Sequence, residues 1–228
     1  MAPKNTNDTT PTRPVAVESD DARNTVKSFC KYVAWLKVIH DVYIELFERE
    51  DAENLMRSTA AMFFADLNKI IVDYLLLPMA KITDPSHTGK HENFTVANLL
   101  ETIPWPPAVM EQLNELNRKL TAFRGYIEPA RNKLVAHLDK TAFLGDLRLG
   151  EFPEGQDHEV MEALEEMCNV MYEAAFGEIF GEISTAVVGD VLDLKRSLHR
   201  SIAFDKLLKN AQGEESSRLY QVLRSVEA

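Results

Sequence analysis

The sequence predicts an all-α protein, a helical bundle of about four to five long helices with short extra helices. Pro and Gly account for only 10 and 9 of the 228 residues, so turn-forming residues are rare for a globular chain. Apolar residues recur at three- and four-residue steps through long stretches, which is the pattern of amphipathic helices. With 45% hydrophobic residues, the chain can bury one substantial core.

The N-terminal residues 1–20 are predicted to form a disordered tail. They are rich in Thr, Pro, Asn and Asp and show no periodicity, so they cannot bury enough apolar surface to offset the entropy of ordering. A first long helix is expected from about residue 21 to 50, because its apolar residues form one stripe: Val26, Phe29, Val33, Leu36, Ile39, Tyr43, Leu46 and Phe47.

A second helix is expected from about residue 51 to 77, antiparallel to the first because the link between them is short. Pro78 should end it, since the residue before a proline resists helical geometry. Its buried face is predicted to carry Leu55, Met62, Phe63, Ile70, Tyr74 and Leu77.

Residues 81–94 read as a polar loop. His87 and His91 are four residues apart and Glu92 follows, which raises the alternative of a metal site. A histidine pair at this spacing needs a helix to reach one side, and Gly89 lies between the two. A solvated loop without metal is therefore predicted, followed by a short helix over 96–102.

A third long helix should begin near Pro106 or Pro107, weaken near Gly125, and either kink at Pro129 or give way to a fourth helix there. Helices over 157–180, 190–210 and 214–226 follow. We expect residues 21–180 to form the bundle and residues 181–228 to form a helical extension packed on it.

Charge and composition limit the class of protein. The net charge of −11 argues against a surface that binds nucleic acid everywhere, but leaves room for a local basic site. The most apolar stretch, residues 70–80, is too short to span a bilayer and contains Asp73. Two cysteines, Cys30 and Cys168, are too few for a disulfide framework and should be buried. We expect a cytoplasmic protein that no membrane anchors.

The stretch Arg131–Asp139 concentrates groups that can do chemistry. An arginine can hold a phosphate with a planar fork of donors, and a histidine can move a proton near neutral pH. On a regular helix Arg131 and His137 would lie about 240° and about 9 Å apart, so two facing copies would be needed to join them. Residues 118–140 also carry six cations against two carboxylates, although such residues can equally form solvated helix faces.

This stretch resembles the signature of the HEPN superfamily, in which an arginine and a polar residue precede a histidine. The run Ala130–Asp139 is similar to the abortive-infection-like branch of these all-α proteins, as are residues Ala80–Asp84 and Leu99-Leu100 upstream. The resemblance covers about residues 25–180.

The resemblance implies a metal-independent endoribonuclease without a cofactor, formed by a homodimer in a defence or toxin–antitoxin setting. It implies His137 as general acid or base, Arg131 as the stabiliser of phosphoryl charge, and Asn132 as a positioning group. The expected partners are RNA and an antitoxin or nucleotidyltransferase. Nucleic-acid contacts are expected from the neighbouring cations: Lys133, Arg124 and Lys140.

A non-catalytic module for dimerisation or protein interaction is the alternative. The acidic surface and the long amphipathic helices favour it. In that case Arg131 and His137 would be structural residues that tie their helix to a neighbour.

Overall fold

The computed structural model describes residues 17–132, 151–181 and 189–227. In these residues a π-helical turn, Ile44–Glu48, accompanies the helices α1 (Asp20–Tyr43), α2 (Ala52–Ile82), α3 (Val96–Thr102), α4 (Pro107–Ala130), α5 (Gln156–Phe176), α6 (Val191–Asn210) and α7 (Gly213–Glu227). Two strands of two residues each, β1 (His87–Thr88) and β2 (His91–Glu92), form an antiparallel hairpin. The prediction of an all-α protein is confirmed.

The chain divides into two compact units. The first is drawn from residues 1–38 and 73–183, and the second from residues 39–72 and 184–228. This division differs from the predicted one, because residues 39–72 group with the C-terminal helices instead of with the rest of the bundle.

The core of the first unit lies where the first part of α1 meets α4 and α5. Cys30 and Cys168 are both buried and unbridged, as predicted, and the Cys30 thiol donates to the Cys168 carbonyl at 3.7 Å. Trp105 closes the turn after α3, where its Nε1 donates to the Leu99 carbonyl at 2.9 Å. The largest fully buried side chains include Phe29, Leu36, Leu99, Leu113, Leu120, Ile127, Leu164, Met167 and Met171.

Residue 17 lies within the predicted N-terminal tail, residues 1–20, but belongs to the core. Val17 is 1% exposed, and its N–H donates to the carbonyl of Ala174 at 3.2 Å. The side chain of Arg23 donates back to the Val17 carbonyl at 2.9 Å. Residue 17 is therefore not part of a disordered tail, and residues 1–16 lie outside the described part of the chain.

Helix α4 continues through Gly125 and Pro129 to Ala130, where a weakening at Gly125 and either a kink or a new helix at Pro129 were expected. Pro129 removes one backbone hydrogen bond, yet Phe123, Ile127 and Ala130 are buried on both sides of the change. Their packing holds the helix together, so Arg131 follows directly on α4.

The second unit is built around a small core under α6. Leu46, Leu55, Met56 and Phe64 are buried there, and partly buried side chains of α6 cover them. Lys195 of α6 also bonds to Glu45 and Asp51, at 3.3 Å each. These contacts fix the π-helical turn and the start of α2 against α6.

The predicted buried face of α2 is wrong at four positions, Met62, Phe63, Ile70 and Tyr74, which are exposed, while Leu77 is partly buried. Ala60 has a non-helical backbone (φ −141°, ψ 65°), which turns the following residues, so that Phe64 is buried while Met62, Phe63 and Ile70 are exposed. The helix also continues through Pro78 to Ile82, because the residues after the proline are buried in the first unit: Met79, Ala80 and Ile82.

Candidate active site

Two arginines of the singled-out region follow one flank of α4. Arg124 and Arg131 are about two helical turns apart, and their side chains are 19% and 28% exposed. Arg131 keeps a helical backbone (φ −54°, ψ −49°), and its N–H donates to the carbonyls of Ile127 and Glu128. The continuity of α4 therefore places both guanidinium groups on the same side of the first unit.

The carboxylate of Asp84 joins these two arginines. One oxygen, Oδ1, accepts from Nη2 of Arg124 at 2.8 Å, and the other, Oδ2, accepts from Nη2 of Arg131 at 3.2 Å. The Asp84 side chain is 19% exposed. Because each oxygen serves a different guanidinium group, one carboxylate bridges the two cations.

The turn after α2 sets the position of Asp84. Thr83 Oγ1 donates to the carbonyls of Met79 and Ala80 at 3.0 Å each, and the Asp84 N–H donates to the Lys81 carbonyl at 3.1 Å. Arg124 also donates through Nη1 to the Thr83 carbonyl. The end of α2 is thus tied to α4 by backbone as well as side-chain bonds.

The side chain of Arg131 is held at more than one nitrogen. Nη1 donates to Oδ1 of Asn132 at 2.7 Å, while Nη2 donates to Asp84. Nε is buried and has no hydrogen-bond partner among residues 17–132, 151–181 and 189–227. Each terminal nitrogen carries two N–H groups, so within the described part of the chain one N–H on each remains for a further acceptor.

The charge around Arg124 is more balanced than the sequence indicated. Asp84 Oδ1 lies 2.8 Å from Nη2 of Arg124, and Glu128 Oε1 lies 3.6 Å from the same nitrogen. Arg124 is also bonded to the Thr83 carbonyl, so its side chain has three partners among the described residues, two of them carboxylates. Arg131 is the more exposed of the two arginines, and its side chain has two such partners, Asp84 and Asn132.

Three of the predicted site residues lie outside the described part of the chain. They are His137, Lys133 and Lys140, and their roles remain predictions. The structure brings Arg131, Asn132 and Arg124 together around Asp84.

The alternative metal residues lie on the β-hairpin. His87 is paired with Glu92 and His91 is paired with Thr88, so the two histidines are on different cross-strand pairs. His87 Nδ1 lies 3.0 Å from Ser86 Oγ, and Glu92 accepts from Asn98 at 2.7 Å. Glu92 therefore helps to attach the hairpin to α3.

Sequence reasoning did not assign a role to Asp84. Its two partners are 40 and 47 residues away, and no periodic pattern links residues at such distances. Two signals were available: the resemblance of residues Ala80–Asp84 to the abortive-infection-like branch, and the need of two partly buried arginines for a nearby carboxylate. Neither signal gave Asp84 a role, because several acidic residues of the chain could have met that need.

Comparison with known proteins gives one family. Residues 19–196 match the model of the family described as HEPN AbiU2, a range that includes Asp84 and the whole stretch from Arg131 to Asp139. No curated protein and no solved structure matches. None of the described helices is both long and apolar enough to cross a membrane.

Proposed function

The chain belongs to the HEPN AbiU2 family, an abortive-infection-related group, and on that premise we propose that it is a metal-independent endoribonuclease. Its substrate is RNA, because the attacking nucleophile is the ribose 2′-hydroxyl. The 2′-oxygen bonds to the adjacent phosphorus, the bond to the 5′-oxygen breaks, and that oxygen leaves with a proton. The products carry a 2′,3′-cyclic phosphate and a 5′-hydroxyl.

The observation that carries the proposal is the fixed, partly exposed guanidinium group of Arg131. It is 28% exposed and held by Asp84 and Asn132, so its orientation is set before a ligand arrives. Donors fixed in advance stabilise the charge that develops on phosphoryl oxygens without a cost of reorganisation. The free N–H of each terminal nitrogen suits two oxygens of one phosphate.

The other roles follow from the chemistry of each side chain. His137 takes the proton of the 2′-hydroxyl or gives one to the leaving oxygen, since its ordinary pKa is near neutral. Asn132 holds Arg131, and the lysines Lys133 and Lys140 attract the backbone phosphates. Arg124 contributes its charge, and its bonds to Asp84 and Thr83 fix it to the turn after α2.

The site is completed by a second copy of the chain. Arg131 and His137 are separated by a spacing that points them in different directions on one helix. In a symmetric dimer the two side chains can meet, because Arg131 of one copy can face His137 of the other. We place this homodimer in a defence or toxin–antitoxin setting, with an antitoxin or a nucleotidyltransferase as its regulating partner.

Cleavage of an RNA panel in EDTA tests the enzyme. His137→Ala should lower the rate by about 10²–10⁴-fold, and Arg131→Ala by about 10²–10³-fold. Arg131→Lys is the matched control, because it keeps the charge and removes the planar fork, so binding should persist while cleavage falls. A substrate with 2′-deoxyribose at the cleaved position should resist. Wild-type protein that cleaves no RNA of the panel contradicts the proposal.

A non-catalytic interaction module is the second candidate, and the exposed face of α2 favours it. Met62, Phe63 and Ile70 are 76%, 62% and 62% exposed, and such neighbouring apolar side chains mark surfaces that bind other proteins. If this is the function, replacing these three residues by serine abolishes self-association or partner binding. His137→Ala would then alter the melting temperature or the oligomeric state without affecting any RNA cleavage.

A further inference from the structure

The Asp84 carboxylate lies between the guanidinium groups of Arg124 and Arg131, at 2.8 and 3.2 Å. An ion pair that only fastens α2 to α4 would need one of these contacts. Arg124 alone supplies that link, because it also bonds to the Thr83 carbonyl. The second contact, to Arg131, therefore calls for a separate explanation.

We infer that Asp84 is a positioning residue, which sets the orientation of the Arg131 guanidinium group for an RNA phosphate. The inference rests on the proposed function. Asp84 itself does not touch RNA, because a carboxylate repels phosphate.

The surroundings of the three guanidinium nitrogens of Arg131 support this role. Asp84 holds Nη2 and Asn132 holds Nη1, while Nε is buried. With both ends of the fork held, the guanidinium group cannot turn about its bond to the side chain without losing hydrogen bonds to charged or polar oxygens. The remaining N–H groups are thereby kept in one plane and one direction.

Asp84 also limits the positive charge of the site. It adds one negative charge to a cluster of two guanidinium groups, and this weakens the attraction for the many phosphates of an RNA chain. The same group thus favours precise placement of one phosphate over tight binding of the whole polymer. Removing its charge should have opposite effects on binding and on turnover.

Asp84→Asn tests this, with Glu128→Gln as the matched control. Both variants remove one negative charge beside Arg124, but the Glu128 carboxylate lies 3.6 Å from Arg124. Among the described residues Glu128 bonds to Arg131 only through its backbone carbonyl, which the substitution leaves in place. In Asp84→Asn, kcat should fall by about 10–100-fold, because small misplacements of a catalytic group cost this much, while KM stays equal or falls. In Glu128→Gln, kcat should stay near that of the wild type.

The result that overturns the inference is a kcat of Asp84→Asn equal to that of Glu128→Gln. A purely structural role would lower the melting temperature and the fraction of active protein, with kcat per folded molecule and KM unchanged. If Asp84→Asn does not fold, Asp84→Glu replaces it, because it keeps the charge and moves the carboxylate by one methylene. Asp84→Glu should lower kcat with KM unchanged, and a kcat of Asp84→Glu equal to that of the wild type would count against the inference.

A second readout does not depend on cleavage. In the side-chain ¹⁵N–¹H spectrum, a held Arg131 should give separate Nη signals, identified by their loss in Arg131→Lys. Asp84→Asn should average them, and Glu128→Gln should not. A wild type that cleaves no RNA refutes the proposed function, whereas an unchanged Arg131 spectrum in Asp84→Asn refutes the positioning role.

Discussion

Replacing Phe64 by alanine should destabilise the second unit far more than the same change at Phe63. The two residues are neighbours on α2 and chemically identical, but Phe64 is 4% exposed and Phe63 is 62% exposed. Phe64 packs in a cluster with Leu46, Leu55 and Met56. Comparing the two alanine variants therefore tests whether α2 is rotated after Ala60.

The expected magnitudes follow from the burial of each ring. Phe64→Ala removes a buried ring from a core and should lower the free energy of unfolding by about 3–5 kcal/mol. Phe63 keeps most of its ring in solvent, and full burial of such a side chain is worth about 1.5–3 kcal/mol. Its replacement should therefore cost less than about 1 kcal/mol.

Urea denaturation followed by far-UV circular dichroism measures both free energies. Both tryptophans, Trp35 and Trp105, belong to the first unit, so native tryptophan fluorescence controls for an intact first unit in each variant. Equal losses for Phe63→Ala and Phe64→Ala, or a larger loss for Phe63→Ala, would show that the rotation of α2 is wrong.

Three further changes test other parts of the structure. Thr95 accepts from the Asn98 N–H at 3.2 Å as the N-cap of α3, so Thr95→Ala should lower the free energy of unfolding by about 1 kcal/mol in urea denaturation. Val17→Ala removes two buried methyl groups and should cost about 1.5–2 kcal/mol, and no loss would place residue 17 in the tail. Burial alone would raise the pKa of Asp51, but hydrogen bonds from Lys195 and His199 outweigh it and lower the pKa below its ordinary value. The stabilisation by Asp51 is thus full above its ordinary pKa and lost as pH falls through the lower folded value. The free energies of unfolding of wild type and Asp51→Asn, measured in urea, should differ by less than about 1 kcal/mol near neutral pH, because the pair is exposed, and should converge below about pH 4.

Local signals in the sequence predicted the helices well, and distant contacts limited the rest. The helix over 96–102 has the predicted bounds, because a short apolar run after a capping residue, Thr95, is a local feature. The prediction of the buried face of α2 failed after Ala60, because no residue type around Ala60 indicates a non-helical backbone there. Pro129 was given too much weight, because the packing of Phe123 and Ile127 outweighs one lost hydrogen bond.

The candidate site was predictable in part for the same reason. Arg131 and Asn132 were found because they are adjacent in a recognisable stretch. Asp84 could not be assigned, because its bonds to Arg124 and Arg131 depend on how the end of α2 meets α4. The second unit likewise groups residues 39–72 with the C-terminal helices, and only long-range packing determines this grouping.

The central claim is that one active site takes Arg131 from one copy and His137 from the other. It is tested most directly by mixing two inactive variants, Arg131→Ala and His137→Ala, under conditions that exchange subunits, and by measuring RNA cleavage in EDTA. Native mass spectrometry verifies that mixed dimers form. Random exchange makes about half of the dimers mixed, each with one intact site of two, so about a quarter of the wild-type activity should return. Mixed dimers that form and do not cleave would contradict the account.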